Sequence, residues 1–245
     1  MRRLALAVVE WKKEKSTALV TMCNGANRQN LEFAERMEVI FDEIEQDKEL
    51  FSVVLTSSDE KNFSQGVDIE WLGARLAEKD FDSVKSFMYA MNRVFKRILL
   101  LPLPVVAAIN GHAFGNGAML ACACDFRFMR KDRGYFCFPE VDISIPFLPG
   151  MIAFVRKAVP EYKFNEMKLT GRRIAADELS EHHVIEKACD DLSSLMEESM
   201  AFAGTFMKKR GIFGEHKKRM YKSIIAVMDE EDPEFIDSLN LFIQE

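Results

Sequence analysis

The chain has 245 residues, 48% of them hydrophobic and 29% charged, and a formal charge of −6. That length and balance predict a globular fold with a substantial core, as one large domain or two small ones. The acidic excess and the lack of a dense Lys/Arg stripe with interleaved aromatics exclude nucleic acid as a main partner. No uninterrupted apolar stretch reaches the ~18 residues of a membrane span, so no membrane partner is expected.

The basic runs Lys12–Lys15, Lys208–Arg210 and Lys217–Arg219 are short and separated, as solvated helix faces are. Five cysteines, Cys23, Cys122, Cys124, Cys137 and Cys189, match no zinc spacing. They are expected to be reduced thiols of a cytosolic protein. Leu4 to Val9 is too short for a signal peptide and runs into Glu10 and lysines. The closing Phe-Ile-Gln-Glu is not a peroxisomal address. A cytoplasmic location is the expectation.

In chain order, Leu4–Trp11 and Ala18–Met22 read as strands joined by a charged turn at Lys12–Ser16. Cys23–Asn30 reads as a loop. In Leu31–Asp47, Phe33, Met37, Ile40, Phe41 and Ile44 recur at helical spacing. Phe51–Thr56 has the continuous apolar character of a buried parallel strand. Ser57–Asp68 reads as a polar loop, and Ile69–Leu76 as a helix. Phe81–Leu100 is a long amphipathic helix that Pro102 stops. Pro104–Ile109 is a strand, Gly111–Gly117 a glycine-punctuated turn, Ala118–Cys124 an apolar helix and Phe126–Met129 a second strand. After Glu140 come the short apolar run Val141–Ile145 and a turn at Pro146–Gly150. The helices Met151–Val159 and Tyr162–Thr170 follow, then a turn, a short strand and a helix from Gly171 to Leu179. Further helices span Leu192–Met207 and Glu215–Met228, and one runs from Asp232-Pro233 to about Gln244. Strands alternate with helices early and helices dominate late. This predicts an α/β core over residues 1–190 and a C-terminal helical region over 191–245.

The stretch from Leu103 to Glu140 organises the rest. A strand feeding a glycine turn that opens a helix leaves backbone N–H groups free to hold negative charge. Three segments together carry a resemblance to the enoyl-CoA hydratase/isomerase, or crotonase, superfamily. Asn62-Phe-Ser-Gln-Gly-Val-Asp-Ile is similar to its Phe-Ser-Ala-Gly-Ala-Asp-Leu loop. Pro104-Val-Val-Ala-Ala-Ile-Asn-Gly-His-Ala-Phe-Gly-Asn-Gly resembles its second oxyanion segment. Gly134-Tyr-Phe-Cys-Phe-Pro-Glu-Val-Asp resembles its Phe-x-x-Pro-Glu stretch. Leu169-Thr-Gly-Arg-Arg-Ile is a fourth match, and the likeness spans about residues 4–190.

The resemblance implies a ββα spiral core and a homotrimer or dimer of trimers. It also implies an acyl-CoA thioester as substrate, with CoA part of that substrate and no separate cofactor. The backbone amides of Val67 and Asn116 would hold the thioester oxygen as charge develops. Gly66, Gly115 and Gly117 would let the ligand approach the backbone. A donor of this kind is worth ~3–4 kcal/mol of barrier. Asn116 stands where the family usually has glycine, and Asn tolerates left-handed backbone better than most residues.

Hydratases of the family use two glutamates. Here the first position is Met119 and the second is Glu140. Activating water takes two carboxylates, whereas moving a proton from C2 to C4 takes one. The pattern therefore resembles Δ3,Δ2-enoyl-CoA isomerases, with Glu140 as the shuttle, and Arg130-Lys-Asp-Arg-Gly-Tyr-Phe together with Glu140-Val-Asp-Ile resembles the small plant-type ones in particular. Arg28, Ser64, Gln65, Gly66, Asp68, Ile69 and Gly115 are the expected contacts to substrate and CoA. Trp71, Leu72, Phe147 and Leu148 are the expected acyl-pocket residues. His112 is read as a hydrogen-bonded packing residue and Asp125 as capping or pairing with Arg127. Asp142 would share the face of Glu140 if both lay on a strand, and a structural role is expected of it. No metal or nicotinamide signature is present. Alternatives are another crotonase-type reaction (hydration, thioester hydrolysis, decarboxylation) and a non-catalytic acyl-CoA-binding protein, which Asn116 and Met119 would favour.

Overall fold

The computed structural model describes residues 8–240. β1 (Val9–Glu14) and β2 (Thr17–Met22) form an antiparallel hairpin with Val9 opposite Met22. Its turn lies at Lys15 and Ser16, so the charged residues Lys12 to Glu14 belong to the first strand rather than to the turn. Residues 4–7 of the expected first strand lie outside the described residues, as does the end of the expected C-terminal helix. β3 (Arg28–Gln29) precedes α1 (Leu31–Gln46). The Asn30 side chain caps α1 by accepting the Phe33 N–H at 3.1 Å, which satisfies a donor with no partner inside the helix. The predicted stripe of α1, Phe33 to Ile44, is buried.

β4 (Ser52–Ser57) is buried throughout. The predicted polar loop after it contains two strands, β5 (Asn62–Ser64) and β6 (Gly66–Val67). They are too short to show periodicity, and they form because distant partners take their hydrogen bonds. Asp68 and Asp80 cap α2 (Ile69–Ala77) and α3 (Phe81–Leu100) by accepting from Trp71 and Ser83. β7 (Val105–Ile109), β8 (His112–Phe114) and α4 (Asn116–Ala123) follow, then β9 (Phe126–Arg130) and β10 (Phe136–Cys137).

The large sheet has the order β1-β2-β4-β7-β9 and ends on β11 (Lys187–Cys189); every pair after the hairpin is parallel. A small parallel sheet has the order β10-β8-β5, and β3 pairs with β6. The chain therefore lays one strand in the large sheet and the next in the small sheet before moving on through a helix or turn. That repeated step is the expected ββα spiral. One large apolar cluster joins α1 and α3 to the sheet. A second, with Val54, Val106, Ala108 and Phe128, lies under α8 (Leu192–Gly204).

Pro139–Ile143 is a 3-10 turn and not a strand, with Val141 and Ile143 exposed and Ser144 left-handed at φ 56°. α5 (Pro149–Arg156), α6 (Glu161–Thr170) and α7 (Ala176–Glu181) lead back to β11. The expected helix Glu215–Met228 is two: α9 (Arg210–Met220) and α10 (Lys222–Glu230), which meet at Tyr221. α11 (Asp232–Ser238) ends the described chain, with Leu239 left-handed at φ 54°.

Asp125 does not pair with Arg127 as expected. Arg127 donates instead to the carbonyls of Val184 and Cys124. Asp125 accepts from Lys217 of α9 at 2.7 Å and from the Val105 N–H at 2.8 Å. Lys217 also donates to the carbonyls of Ile98 and Leu103, and the two charged side chains are only 3% and 8% exposed. Removing one partner of a buried pair leaves the other charge uncompensated. Asp125→Ala is expected to destabilise the fold by about 3–5 kcal/mol in urea denaturation. A loss within the ~1 kcal/mol of a surface ion pair would show that this contact does not anchor α9.

Candidate functional site

A cavity of about 170 Å³ opens beside the glycine turn. Its wall brings together residues from five parts of the chain. Gln65, Val67, Ile69 and Leu72 come from β6 and α2 and their approach. Phe87, Met88 and Met91 come from α3. Gly115, Asn116 and Met119 come from the turn and α4. Glu140, Phe147, Leu148 and Met151 come from the segment leading into α5. Phe235 and Asn240 come from the C-terminus.

Backbone meets backbone at the polar end. Gly66 has φ +80°, and a Cβ there would lie 2.7 Å from the Phe114 carbonyl and 3.0 Å from the Asn116 nitrogen. Only glycine allows that approach in that conformation. The Asn116 amide opens α4, where N–H groups have no acceptor within the helix. In the β3–β6 pair the Asp68 N–H donates to the Gln29 carbonyl. Alternation along the strand then turns the neighbouring Val67 N–H the other way. Val67 and Asn116, from two different loops, thus both line the cavity.

Glu140 stands next to this space. Gly115, at φ +52°, leaves room for it: a Cβ there would lie 3.1 Å from Glu140 Oε1. Glu140 is 6% exposed, and its Oε2 has no hydrogen-bond partner among the described residues. Burial pushes its carboxyl up to about 7, against smaller opposing effects of a backbone hydrogen bond and the Lys168 ammonium. Lys168 Nζ lies 3.8 Å from the centre of the Phe147 ring. Among the described residues Glu140 is the one ionisable side chain on the cavity wall.

The residues singled out from sequence divide into two groups. Glu140, Val67, Asn116, Gln65, Ile69, Leu72, Gly115, Phe147 and Leu148 line the cavity. Arg28, Ser64, Gly66, Asp68 and Trp71 do not. Arg28 is exposed and pairs with Glu70 at 2.8 Å. Ser64 is buried, donates to the Asn27 carbonyl at 2.7 Å and accepts from the Gly66 N–H. Asp68 caps α2. Trp71 sets its ring edge-on to Phe87 at 5.4 Å.

Asp142 lies against Gly171. The 3-10 turn, in place of a strand, removes the face it would have shared with Glu140. His112 accepts the Tyr135 N–H through Nδ1 and stacks on that ring, so it packs as expected. The wall residues Phe87, Met88, Met91, Met151 and Phe235 went unread because, as helix-face residues, they carry the same apolar periodicity as the core.

The cavity therefore offers one desolvated carboxyl beside the backbone of Val67 and Asn116, and a remainder that is largely apolar. Such a site can stabilise charge on an oxygen while one carboxylate moves a proton. Against known proteins, the chain matches the family described as enoyl-CoA hydratase/isomerase over residues 12–232. Enoyl-CoA delta isomerase 3 of Arabidopsis thaliana is 29% identical over 189 residues, 73% of this chain and 76% of that protein. Short-chain-enoyl-CoA hydratase of Clostridium acetobutylicum is 31% identical over 181 residues, 73% and 67% of the two. The solved structure of an enoyl-CoA hydratase from Bacillus halodurans superposes with a TM-score of 0.84 over 94% of each chain, at 18% identity, a likeness of fold.

A carboxyl pushed up from 4.5 to about 7 keeps its proton to higher pH in the folded state than in the unfolded one. Its cost to stability is absent below about 4.5 and is fully felt above about 7. The whole shift corresponds to about 3 kcal/mol. Glu140→Gln, which mimics the protonated form, is expected to be about 2–3 kcal/mol more stable than the wild type in denaturation at pH 8, with the two converging near pH 4.5. Equal stability at both values would show that the ionised carboxylate is not desolvated.

Proposed function

The chain belongs to the enoyl-CoA hydratase/isomerase family, and from that premise we propose that it is a Δ3,Δ2-enoyl-CoA isomerase. The observation that carries this reading is Glu140: a buried carboxyl with one oxygen unpartnered, and the single ionisable group among the described wall residues. Met119, also on the wall, cannot transfer protons. Hydration needs a second acid–base group to activate water, and no described residue of the wall offers one. The plant delta isomerase among the relatives supports the same choice. An assembly of three chains, or of two such trimers, goes with the reading.

In the proposed reaction the thioester oxygen of a 3-enoyl-CoA lies between the amides of Val67 and Asn116. Ionised Glu140 takes a proton from C2. The electron pair left behind spreads over the thioester oxygen and the C3–C4 double bond, and the two amides stabilise the charge on oxygen. Glu140, now protonated, returns the proton at C4. The double bond then lies between C2 and C3, the carboxylate is regenerated, and no electrons or atoms are gained or lost. The desolvated carboxylate is a stronger base than one in water, and a value near neutrality suits a group that must both take and give a proton.

Glu140→Gln is expected to lose isomerase turnover by at least the 10²-fold ascribed to general base catalysis, while calorimetry finds acyl-CoA binding retained. Wild-type turnover in the variant would remove Glu140 from the role of base. The base must be ionised, so kcat/KM for isomerisation is expected to level off above about 7 and to fall about tenfold per pH unit below it. A rate still level down to pH 5 would contradict the assignment.

A further inference from the structure

Part of the cavity wall comes from a segment remote from it in the chain. Phe235 of α11 and Asn240 beyond it line the same space as Glu140. The C-terminal helices are held there by a polar seam along α3. The Tyr89 hydroxyl donates to Asp237 Oδ1 at 2.9 Å, Asn92 Nδ2 donates to Asp232 Oδ2 at 2.8 Å, and Lys96 pairs with Asp229. Positions 89, 92 and 96 are three and four residues apart, so they share one face of α3.

The middle contact differs from the other two in being buried. Asp232 is 0% exposed, and its second carboxylate oxygen accepts the N–H of Gly150, in the first turn of α5, at 2.7 Å. Loss of that side chain would leave both the Gly150 N–H and the Asn92 amide without an acceptor. Asp232 thus ties α11 to α3 and α5 at once. Those two helices carry Met88, Met91 and Met151 of the cavity wall. Phe235 follows one turn after Asp232.

We propose that α11 is the end wall of the acyl subsite: Phe235 limits the length of the linear acyl chain admitted, and Asp232 is the positioning residue that holds it there. This rests on the acyl-CoA reading of the cavity. The polar end of the cavity is built by the loops around Val67, Asn116 and Glu140. The contributions of α3, α5 and α11 are hydrocarbon, thioether and aromatic, which suit an alkyl chain. Methionine side chains bend to fit what enters. The ring of Phe235 is flat and stiff by comparison, on a helix fixed by a buried carboxylate, and a stiff element sets a length limit.

The test is calorimetric binding of saturated acyl-CoAs from butanoyl to dodecanoyl, which requires no turnover. Phe235→Ala is expected to move the tightest-binding length upward, with a gain of about fourfold for each additional methylene admitted. Phe235→Trp is expected to move it downward. Asp232→Ala is expected to flatten the length profile, and Asp232→Asn, which keeps hydrogen-bonding capacity, to restore it in part. An unchanged profile in both Phe235 variants overturns the wall. A lowered melting temperature in Asp232→Ala with the profile intact overturns the positioning role, because a merely structural contact would do only that. Acyl-CoA binding with no isomerisation would count against the proposed reaction and leave the wall standing. If the wild type binds none of the acyl-CoAs, both are overturned.

Discussion

No side chain fits between Gly66 and the turn from Phe114 to Asn116. A single methyl group at Gly66 would press on the Phe114 carbonyl and the Asn116 nitrogen, and one at Gly117 would run into the Ser64 carbonyl. Two chain segments far apart in sequence therefore touch through their backbones. Everything at the polar end of the cavity depends on that contact. It sets Val67 and Asn116 on the wall of one cavity, and Gly115 in the same turn makes the room in which Glu140 sits. The spiral serves this arrangement, since β5 and β8 are neighbours in the small sheet and each ends at one of the two loops.

Charge inside the protein is handled in two ways. Asp125 with Lys217, and Asp232 with Asn92 and Gly150, are buried groups with partners, and they fasten the C-terminal helices to the core. Glu140 is buried with one oxygen lacking a partner. In the first case attraction and hydrogen bonding oppose desolvation, though burial still raises the Asp232 carboxyl. In the second it is left as a raised pKa, which is an energetic cost to folding and a property a proton-transferring group can use. The same fold thus uses its buried aspartates for position and leaves its buried glutamate with an oxygen free.

How much of this was legible depended on the range of the forces involved. α3 is read with its observed ends, Phe81 and Leu100, because Pro102 stops it just beyond and its apolar stripe spans five turns. α1 likewise follows its stripe. Glu140 and the two amides came from motif resemblance, since no periodicity marks a site. β5 and β6 were unreadable because their pairing partners lie elsewhere in the chain. Val141–Ile145 reads only as a short apolar run, and Val141 and Ile143 are exposed on a 3-10 turn that ends in left-handed Ser144. Asp125 was assigned to Arg127, its neighbour in sequence, when its partner Lys217 lies on a helix far along the chain. The helix-borne part of the cavity wall was the least legible. Met88, Met91, Met151 and Phe235 differ from core residues only in facing a cavity, and only packing creates that difference.

The central claim is that one carboxylate, with Met119 where a second acid would stand, does all the proton transfer. The most direct measurement compares two turnovers by the same enzyme preparation: isomerisation of a 3-enoyl-CoA and hydration of crotonyl-CoA. The account predicts efficient isomerisation with hydration at or near the uncatalysed background. Substantial hydration with Met119 in place would contradict it, because a water would then be activated without the second acid–base group that the chemistry requires.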